Sequence, residues 1–286
     1  MYTAKVQNSG GEILTLTQNE RNWQVISIAG LNPPPSQINT TNIAGLDGAK
    51  FNSSKLNTRN IVIMLKINGE VERNRQYLYN FFRTKENCIF YFANQNRNVS
   101  IRGYVETVEC DLFSSREIMQ ASIICPNPYF QSVAEIVSDV SDEAAAFSFP
   151  FSINIGSPIP FSVFVEGRIT NIQNNSESET GMLIQIDFTG SVNSIKIQNT
   201  DTGESMTLNY AFLANDKVFI NTKKGEKSIR LLRDGVETNL FSAMAQGSVF
   251  FQLHIGDNHF GYSADSGASD SHVSIIFTYS NVYRGV

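Results

Sequence analysis

The second half of this chain is a succession of short segments that alternate apolar and polar residues, with turn residues between them. Such alternation is typical of half-buried β-strands, and a spacing of about ten residues is typical of β-sandwiches and jelly rolls. The predicted strands are Phe161–Glu166, Met182–Phe188, Ser194–Gln198, Ser205–Leu208, Val218–Asn221, Ser228–Leu232, Ser248–Leu253, His259–Tyr262 and Val273–Tyr279. We therefore predict a β-sandwich over residues 153–286.

The first half combines strand patterns with the one clear helical pattern. Apolar positions recur at steps of three and four, at Val71, Asn74, Leu78, Phe81 and Phe82. This period predicts an amphipathic helix over residues 70–85 that covers a sheet. Strands are predicted at Ile13–Thr17, Trp23–Ala29, Asn60–Ile67, Cys88–Ala93, Val99–Val108 and Gln120–Cys125. The first half is therefore expected to be mainly β with one helix.

Proline residues divide the first half into its parts. The run Pro33-Pro34-Pro35 opens a long predicted loop that ends at the turn of residues 45–48, since proline neither continues a helix nor fits a central strand. Pro126 and Pro128 close the last predicted strand. We therefore predict a first domain over residues 1–131 and a connector over 132–152, where a short acidic run is followed by three alanines.

Length and charge agree with two domains. A chain of 286 residues exceeds the usual size of one domain. Residues 1–131 hold 13 Lys and Arg against 10 Asp and Glu, whereas residues 132–286 hold 9 against 17. Neither half has the concentrated basic face of a nucleic-acid binder. No stretch approaches the ~20 apolar residues of a membrane-spanning helix, and no secretory signal is visible at the N-terminus, so we expect no membrane insertion.

The three cysteines favour buried free thiols. Cys88, Cys110 and Cys125 are odd in number, lie in strand patterns and show no Cys-x-x-Cys spacing, so neither a zinc site nor a disulfide framework is indicated. All the histidines lie in the second half, which leaves the thiols without an obvious base in their own domain. We expect the chain to fold in a reducing cytosol.

Three further groups of residues could carry chemistry. They are the carboxylates Glu106, Glu109 and Asp111; the histidines His254, His259 and His272; and Asp257, Asp265 and Asp270 in or beside a Gly/Ser-rich loop. The first group fits a solvated sheet edge, because residues three apart on a strand face opposite sides. A turn separates the first two histidines, and the aspartates lack EF-hand spacing. We predict no catalytic, cofactor or metal site; the ligand-binding residues stay unknown at this point.

The order of several motifs resembles the distal tail proteins (Dit) of long-tailed, siphovirus-type bacteriophages of Gram-positive hosts. In the first half the motifs are Gly45-Leu46-Asp47-Gly48, Arg59–Ile63, Ile67–Glu70, Ile101–Glu106 and Cys125–Phe130. In the second half they are Phe219–Thr222, Gly225–Ser228, Asp234-Gly235, Asn239-Leu240, Gly256–Asn258 and Tyr279–Gly285. The family usually has tryptophan near position 250, where this chain has Phe250-Phe251.

The resemblance implies a fold and a role. It implies an N-terminal β-barrel-like domain with one helix that assembles into a hexameric ring, followed by a galectin-like C-terminal sandwich. The ring would join the tail tube protein to the tail tip or baseplate of a phage or phage-derived tail, and would anchor a tail-associated protein and a receptor-binding protein. DNA would pass through the ring without specific binding, so we expect no strongly basic lumen.

Two other functions remain as alternatives. The first is a carbohydrate-binding host-adsorption protein, in which the C-terminal sandwich recognises a cell-wall saccharide. The sole tryptophan, Trp23, lies in the first half, and the second half offers only Phe and Tyr for stacking against a sugar. The second alternative is a tail-attached hydrolase, which the lack of any catalytic motif disfavours.

Overall fold

The computed structural model describes residues 2–16, 21–45, 47–113, 117–139, 169–265 and 273–286. Two compact units divide the chain: Met1–Ala134 together with Val282–Val286, and Glu135–Asn281. Each unit has its own core of buried apolar side chains. The described residues are mainly β with one α-helix, so the predicted fold class is confirmed.

The elements follow one another along the chain with short connections. In the first half they are β1 (Thr3–Gln7), β2 (Ile13–Leu16), β3 (Trp23–Ala29), β4 (Ser36–Asn42), β5 (Ala49–Leu56), β6 (Arg59–Ile67), α1 (Val71–Phe81), β7 (Asn87–Ala93), β8 (Asn98–Cys110), β9 (Ile118–Cys125) and β10 (Phe130–Ser132). In the second half they are β11 (Ile136–Asp139), β12 (Thr170–Asn174), β13 (Met182–Phe188), β14 (Val192–Asn199), β15 (Ser205–Phe212), β16 (Lys217–Asn221), β17 (Ser228–Arg233), β18 (Val236–Asn239), β19 (Gly256–Asp265), β20 (Val273–Tyr279) and β21 (Val282–Tyr283).

A nine-stranded antiparallel sheet forms the body of the first unit. Seven strands follow the order β2-β1-β7-β8-β9-β6-β3, and β10 joins β8 to β21. Along β6 every second residue from Arg59 to Ile67 is buried, as the alternation predicted. The strand β21 comes from the far end of the chain. Val282–Val286, which the sequence had placed with the second domain, therefore group with the first unit.

The helix α1 covers the core of this sheet. Its face presents Asn74, Leu78 and Phe81 to the interior, as the three- and four-residue period predicted. The helix ends at Phe81 rather than at residue 85. Phe82 leaves the helical conformation and Lys85 has a φ of 71°, so the last predicted turn does not form. Phe82 is nevertheless buried beside Phe81, at a ring distance of 4.9 Å.

The second unit is a β-sandwich. One sheet has the order β11-β20-β13-β16-β17-β18 and the other β12-β19-β14-β15, with all pairs antiparallel. Buried residues of both sheets form a single core, which contains Ile184, Ile186, Ile220 and Leu231 from the first and Ile195, Ile197, Met206 and Phe260 from the second. The prediction of a C-terminal β-sandwich is therefore confirmed.

Several predicted strands differ from the structure. Ser248–Leu253 is wrong as a strand: Phe251 and Leu253 alternate into the core, but only Leu253 forms an isolated bridge, to Thr180. Within the predicted connector the structure describes residues 132–139, which include the edge strand β11. Phe161–Glu166 lies outside the described residues.

The predicted loop of residues 30–48 is also wrong in part. After Pro35 the chain forms β4, which pairs with β5 across the turn that was predicted at residues 45–48. The three prolines fit this outcome because they precede the strand and leave its hydrogen-bonding positions free. The sequence of β4 is polar and lacks an apolar face, which is why its pattern gave no strand signal.

Candidate assembly surface

The β4–β5 hairpin stands apart from the sheets of its unit. The two strands pair with each other from Ser36 opposite Leu56 to Asn42 opposite Ala49, and with no other described strand. Every residue of both strands is exposed except Leu56, which is half-buried. The hairpin is therefore an arm that both of its faces present to the surroundings.

Polar side chains link the two strands of the arm. Asn39 Nδ2 donates to Ser53 Oγ at 3.0 Å, and Asn52 Nδ2 donates to Thr41 Oγ1 at 2.6 Å. A β-bulge between Asn39 and Thr40 shifts the register. Bulges increase local twist and interrupt the regular edge that strands otherwise offer to one another.

Apolar side chains on the arm are left in solvent. Ile38 and Phe51 are each 60% exposed, and Ile43 at the tip is 45% exposed. Lys50 and Lys55 are exposed on the same hairpin. An isolated two-stranded hairpin is only marginally stable in water, since it has no face on which to build a core. The arm thus has the composition of a surface that is completed by packing against another molecule.

The base of the arm is fixed to the core by Arg59, three residues after β5. This side chain is 2% exposed. Its guanidinium donates to the carbonyl oxygens of Asn32 at 2.7 Å and Pro128 at 2.8 Å, and also to those of Gly30 and Arg284. It also lies 4.4 Å from the centre of the Phe130 ring. Burial lowers the pKa of Arg59, yet guanidinium stays charged in proteins, so the cation binds four chain segments through carbonyl dipoles.

Glycine is required where the arm begins. Gly30 has a φ of 86°, and a Cβ at this position would lie 2.0 Å from the carbonyl oxygen of Asn60. Any side chain would therefore separate the residues before β4 from β6. The strand that enters the arm and the strand that follows it are held together at this point.

The same unit carries a groove beside the helix. It has a volume of about 450 Å³, and its lining includes Glu12, Tyr77, Arg83 and Glu86. Tyr77 donates from its hydroxyl to Glu12 at 2.6 Å, and burial together with this contact raises the pKa of Tyr77 to about 12. The Tyr77 ring stacks on Trp23 at 5.6 Å. Two carboxylates and one arginine give the groove a slightly acidic wall.

The structure gives the cysteines an inert environment. Cys88 and Cys125 are buried and Cys110 is half-buried, all as free thiols. Burial raises the pKa of Cys88 and of Cys125 to about 12, so neither is a thiolate near neutral pH. Burial also raises the pKa of Cys110.

The other candidate residues lie apart from one another. Glu106, Glu109 and Asp111 are exposed at and beyond β8, where Glu106 accepts a hydrogen bond from Ser122 at 3.0 Å. His254 lies 3.3 Å from Glu179, and His259 lies 3.1 Å from Asp201, whose pKa is lowered chiefly by the backbone N–H of His259. Asp257 accepts from Asn171. His272, Asp270 and the side chain of Asp265 lie outside the described residues.

Searches for a metal cluster and for a membrane span gave no site in the described part of the chain. No group of three or more His, Cys, Asp or Glu side chains there could hold a metal ion. No helix among those residues is long and apolar enough to cross a membrane.

Comparison with known proteins identifies the class of protein. Residues 175–283 match the family model of the siphovirus-type tail component, C-terminal domain. The second unit is therefore a tail-component domain, and the chain is a component of a phage-type tail. No curated protein matches the sequence.

Solved structures extend the match to the fold of the whole chain. The distal tail protein Dit (gp 19.1) of phage SPP1, described as a paradigm of the hub adsorption apparatus in Gram-positive infecting phages, is 15% identical, with 97% of this chain and 98% of that chain covered and a TM-score of 0.69. Chains of the phage P2 baseplate in its activated conformation, with Ca and with Sr, are 12% identical, with TM-scores of 0.53 and with 98% and 97% of this chain and 98% of each of those chains covered. The resemblance to distal tail proteins is thereby confirmed.

Proposed function

We propose that this protein is a structural hub of a phage or phage-derived tail, which forms a ring between the tail tube and the tip or baseplate. The observation that carries the proposal is the exposed β4–β5 arm on a unit with the distal tail fold. The role requires no turnover, and the free thiols and scattered carboxylates described above offer no catalytic arrangement.

The arm supplies one half of the interface that a ring needs. Closed rotational symmetry with more than two subunits requires two different patches that mate. In this proposal the arm of one copy, with Phe51 and its lysines, packs on a neighbouring copy at the groove that contains Glu12 and Glu86. Opposite charges on the two patches favour this order of contact, and burial of Ile38 and Phe51 supplies the apolar gain.

The other partners follow from the same role. The ring would bind the tail tube protein on one side and a tail-associated protein on the other, the sandwich would hold a receptor-binding protein, and the complex would sit at the virion tail tip. The lumen would let DNA pass without specific binding. A ring whose channel is lined by the first unit's lysines and arginines would contradict this last point.

Native mass tests the ring. We expect a species of about 190 kDa, six times the 31.8 kDa of one chain, with a central hole in negative-stain images. Phe51→Ser should abolish it and leave a folded monomer, because the side chain touches nothing in its own unit that it must support. Phe113→Ser is the matched control, since Phe113 is fully exposed elsewhere on the first unit.

The outcome that sinks the proposal is equally specific. A chain that stays monomeric at high concentration and also in the presence of the tail tube protein would overturn it. A ring that forms equally well with Phe51→Ser would retain the hub and remove the arm from its interface.

A further inference from the structure

The outer face of the sandwich carries a second groove, away from the arm and its ring. It lies over the end of the six-stranded sheet, where β17 pairs with β18, and has a volume of about 250 Å³. Its lining includes Lys227, Arg230, Glu237, Asn239 and Phe241. The inward residues of β17, Ile229 and Leu231, belong to the core, so the groove has a rigid floor.

An aromatic pair forms one wall of this groove. Phe241 is 45% exposed at the start of the 3₁₀ turn that follows β18, and its ring lies 5.5 Å from that of Phe250. The pair is held in place from two sides. Asn239 Oδ1 accepts from the N–H of Phe241 at 2.9 Å, and Lys227 Nζ lies 5.2 Å from the centre of the Phe250 ring.

Polar groups in fixed positions form the opposite side. Arg230 lies across from Asn239 in the β17–β18 register, and its guanidinium donates to Glu237 at 3.0 Å. Both members of this pair are about half exposed, so each keeps hydrogen-bonding capacity for a ligand. A planar donor and a carboxylate acceptor on adjacent strands match the spacing of neighbouring hydroxyls on a ring.

We propose that this groove binds a single pyranose residue of a saccharide, with the ring stacked on Phe241 and its hydroxyls bound by Arg230 and Glu237. The volume is below the ~300 Å³ at which pockets for drug-sized ligands begin, which suits one sugar residue of a longer chain. An aromatic face beside charged hydrogen-bonding groups has the amphipathic character of a sugar, apolar on its C–H face and polar at its rim. A protein partner would instead need an extended apolar patch, which this groove does not provide.

The experiment uses the full chain on an array of neutral and acidic oligosaccharides, followed by calorimetric titration of the best soluble ligand. We expect at least one hexopyranose-containing glycan to bind. Phe241→Ala should weaken it about tenfold or more, and Phe241→Trp should retain it, because the larger ring preserves stacking. Arg230→Ala should also weaken binding, through the lost hydroxyl contacts.

Controls separate the site from the fold and from the ring. Phe113→Ala removes an exposed aromatic ring of the first unit and should leave binding unchanged. The thermal transition and native mass of each variant should match those of the unsubstituted chain, since Phe241 lies outside the core and outside the arm. No glycan bound by the unsubstituted chain, or equal binding by Phe241→Ala, would overturn the site and would leave the ring proposal standing.

Discussion

The two units each bury one strong charge, and they compensate it in different ways. In the first unit Arg59 is 2% exposed and meets only carbonyl dipoles and the Phe130 ring among its described contacts. In the second unit Asp216 is 2% exposed and pairs with Arg233, which is 31% exposed. The first solution ties distant segments of chain together, whereas the second staples neighbouring strands.

The difference reflects how each unit is assembled. Arg59 binds carbonyls from residues as far apart as Gly30 and Arg284, because the first unit is built from both ends of the chain. Asp216 accepts two hydrogen bonds from the Arg233 guanidinium and one from the N–H of Leu213. A cation with five donors can join many carbonyls, whereas a carboxylate closes a local turn.

Arg59→Met should produce the largest effect. The change leaves buried carbonyl oxygens without donors, each at a cost of about 1–3 kcal/mol, so we expect the first unit to lose about 4 kcal/mol of stability. Trp23, the only tryptophan, lies in this unit, so its fluorescence during urea denaturation measures the loss. The control is Arg73→Met, since Arg73 is 81% exposed. Equal midpoints for the two variants would contradict the central role of Arg59.

Asp216→Asn should have a smaller effect and act on the other unit. It removes charge-assisted hydrogen bonds that are worth about 1.5–3 kcal/mol when buried, and the partial exposure of Arg233 reduces this to about 2 kcal/mol. Calorimetry should show a lower transition for the sandwich while the Trp23 signal stays unchanged. Glu204→Gln, at an exposed site, is the control. A shift in the Trp23 signal would refute the assignment of this pair to the second unit alone.

Acid should weaken the second unit through the same pair. The Arg233 guanidinium lowers the pKa of Asp216 below its ordinary value near 3.8. A carboxyl with a lowered pKa in the folded state stabilises that state at higher pH, and this stability is lost as pH falls from about 3.8 through the folded pKa. Thermal transitions between pH 6 and pH 2 should therefore fall more steeply for the unsubstituted chain than for Asp216→Asn. Parallel slopes would argue against this linkage.

The arm should give the smallest effect on a single chain. Ile38→Ser removes a side chain that is 60% exposed, so we expect the stability of the monomer to change by no more than about 0.5 kcal/mol. Urea denaturation at a concentration below ring formation measures this. A large loss would mean that Ile38 packs within its own chain and is not free for a neighbour.

Elements with an apolar period could be read directly from the sequence. Val273–Tyr279 and Met182–Phe188 have the predicted bounds, since their alternation coincides with burial on one face. The helical face of Leu78 and Phe81 was found in the same way. The arm was missed because β4 is polar on both faces and pairs only with β5. Ser248–Leu253 was overpredicted because residues can alternate into a core without pairing as a strand.

The candidate sites divide in the same way. The sequence by itself determined two β-rich halves, one helix, free buried cysteines and the resemblance to distal tail proteins, because these depend on local period and residue type. Only the tertiary structure brought Arg59 to Arg284, returned Val282–Val286 to the first unit and placed Phe241 beside Phe250 and Arg230. Those contacts join residues far apart in the chain, and their positions depend on how the sheets pack rather than on any pattern that neighbouring residues carry.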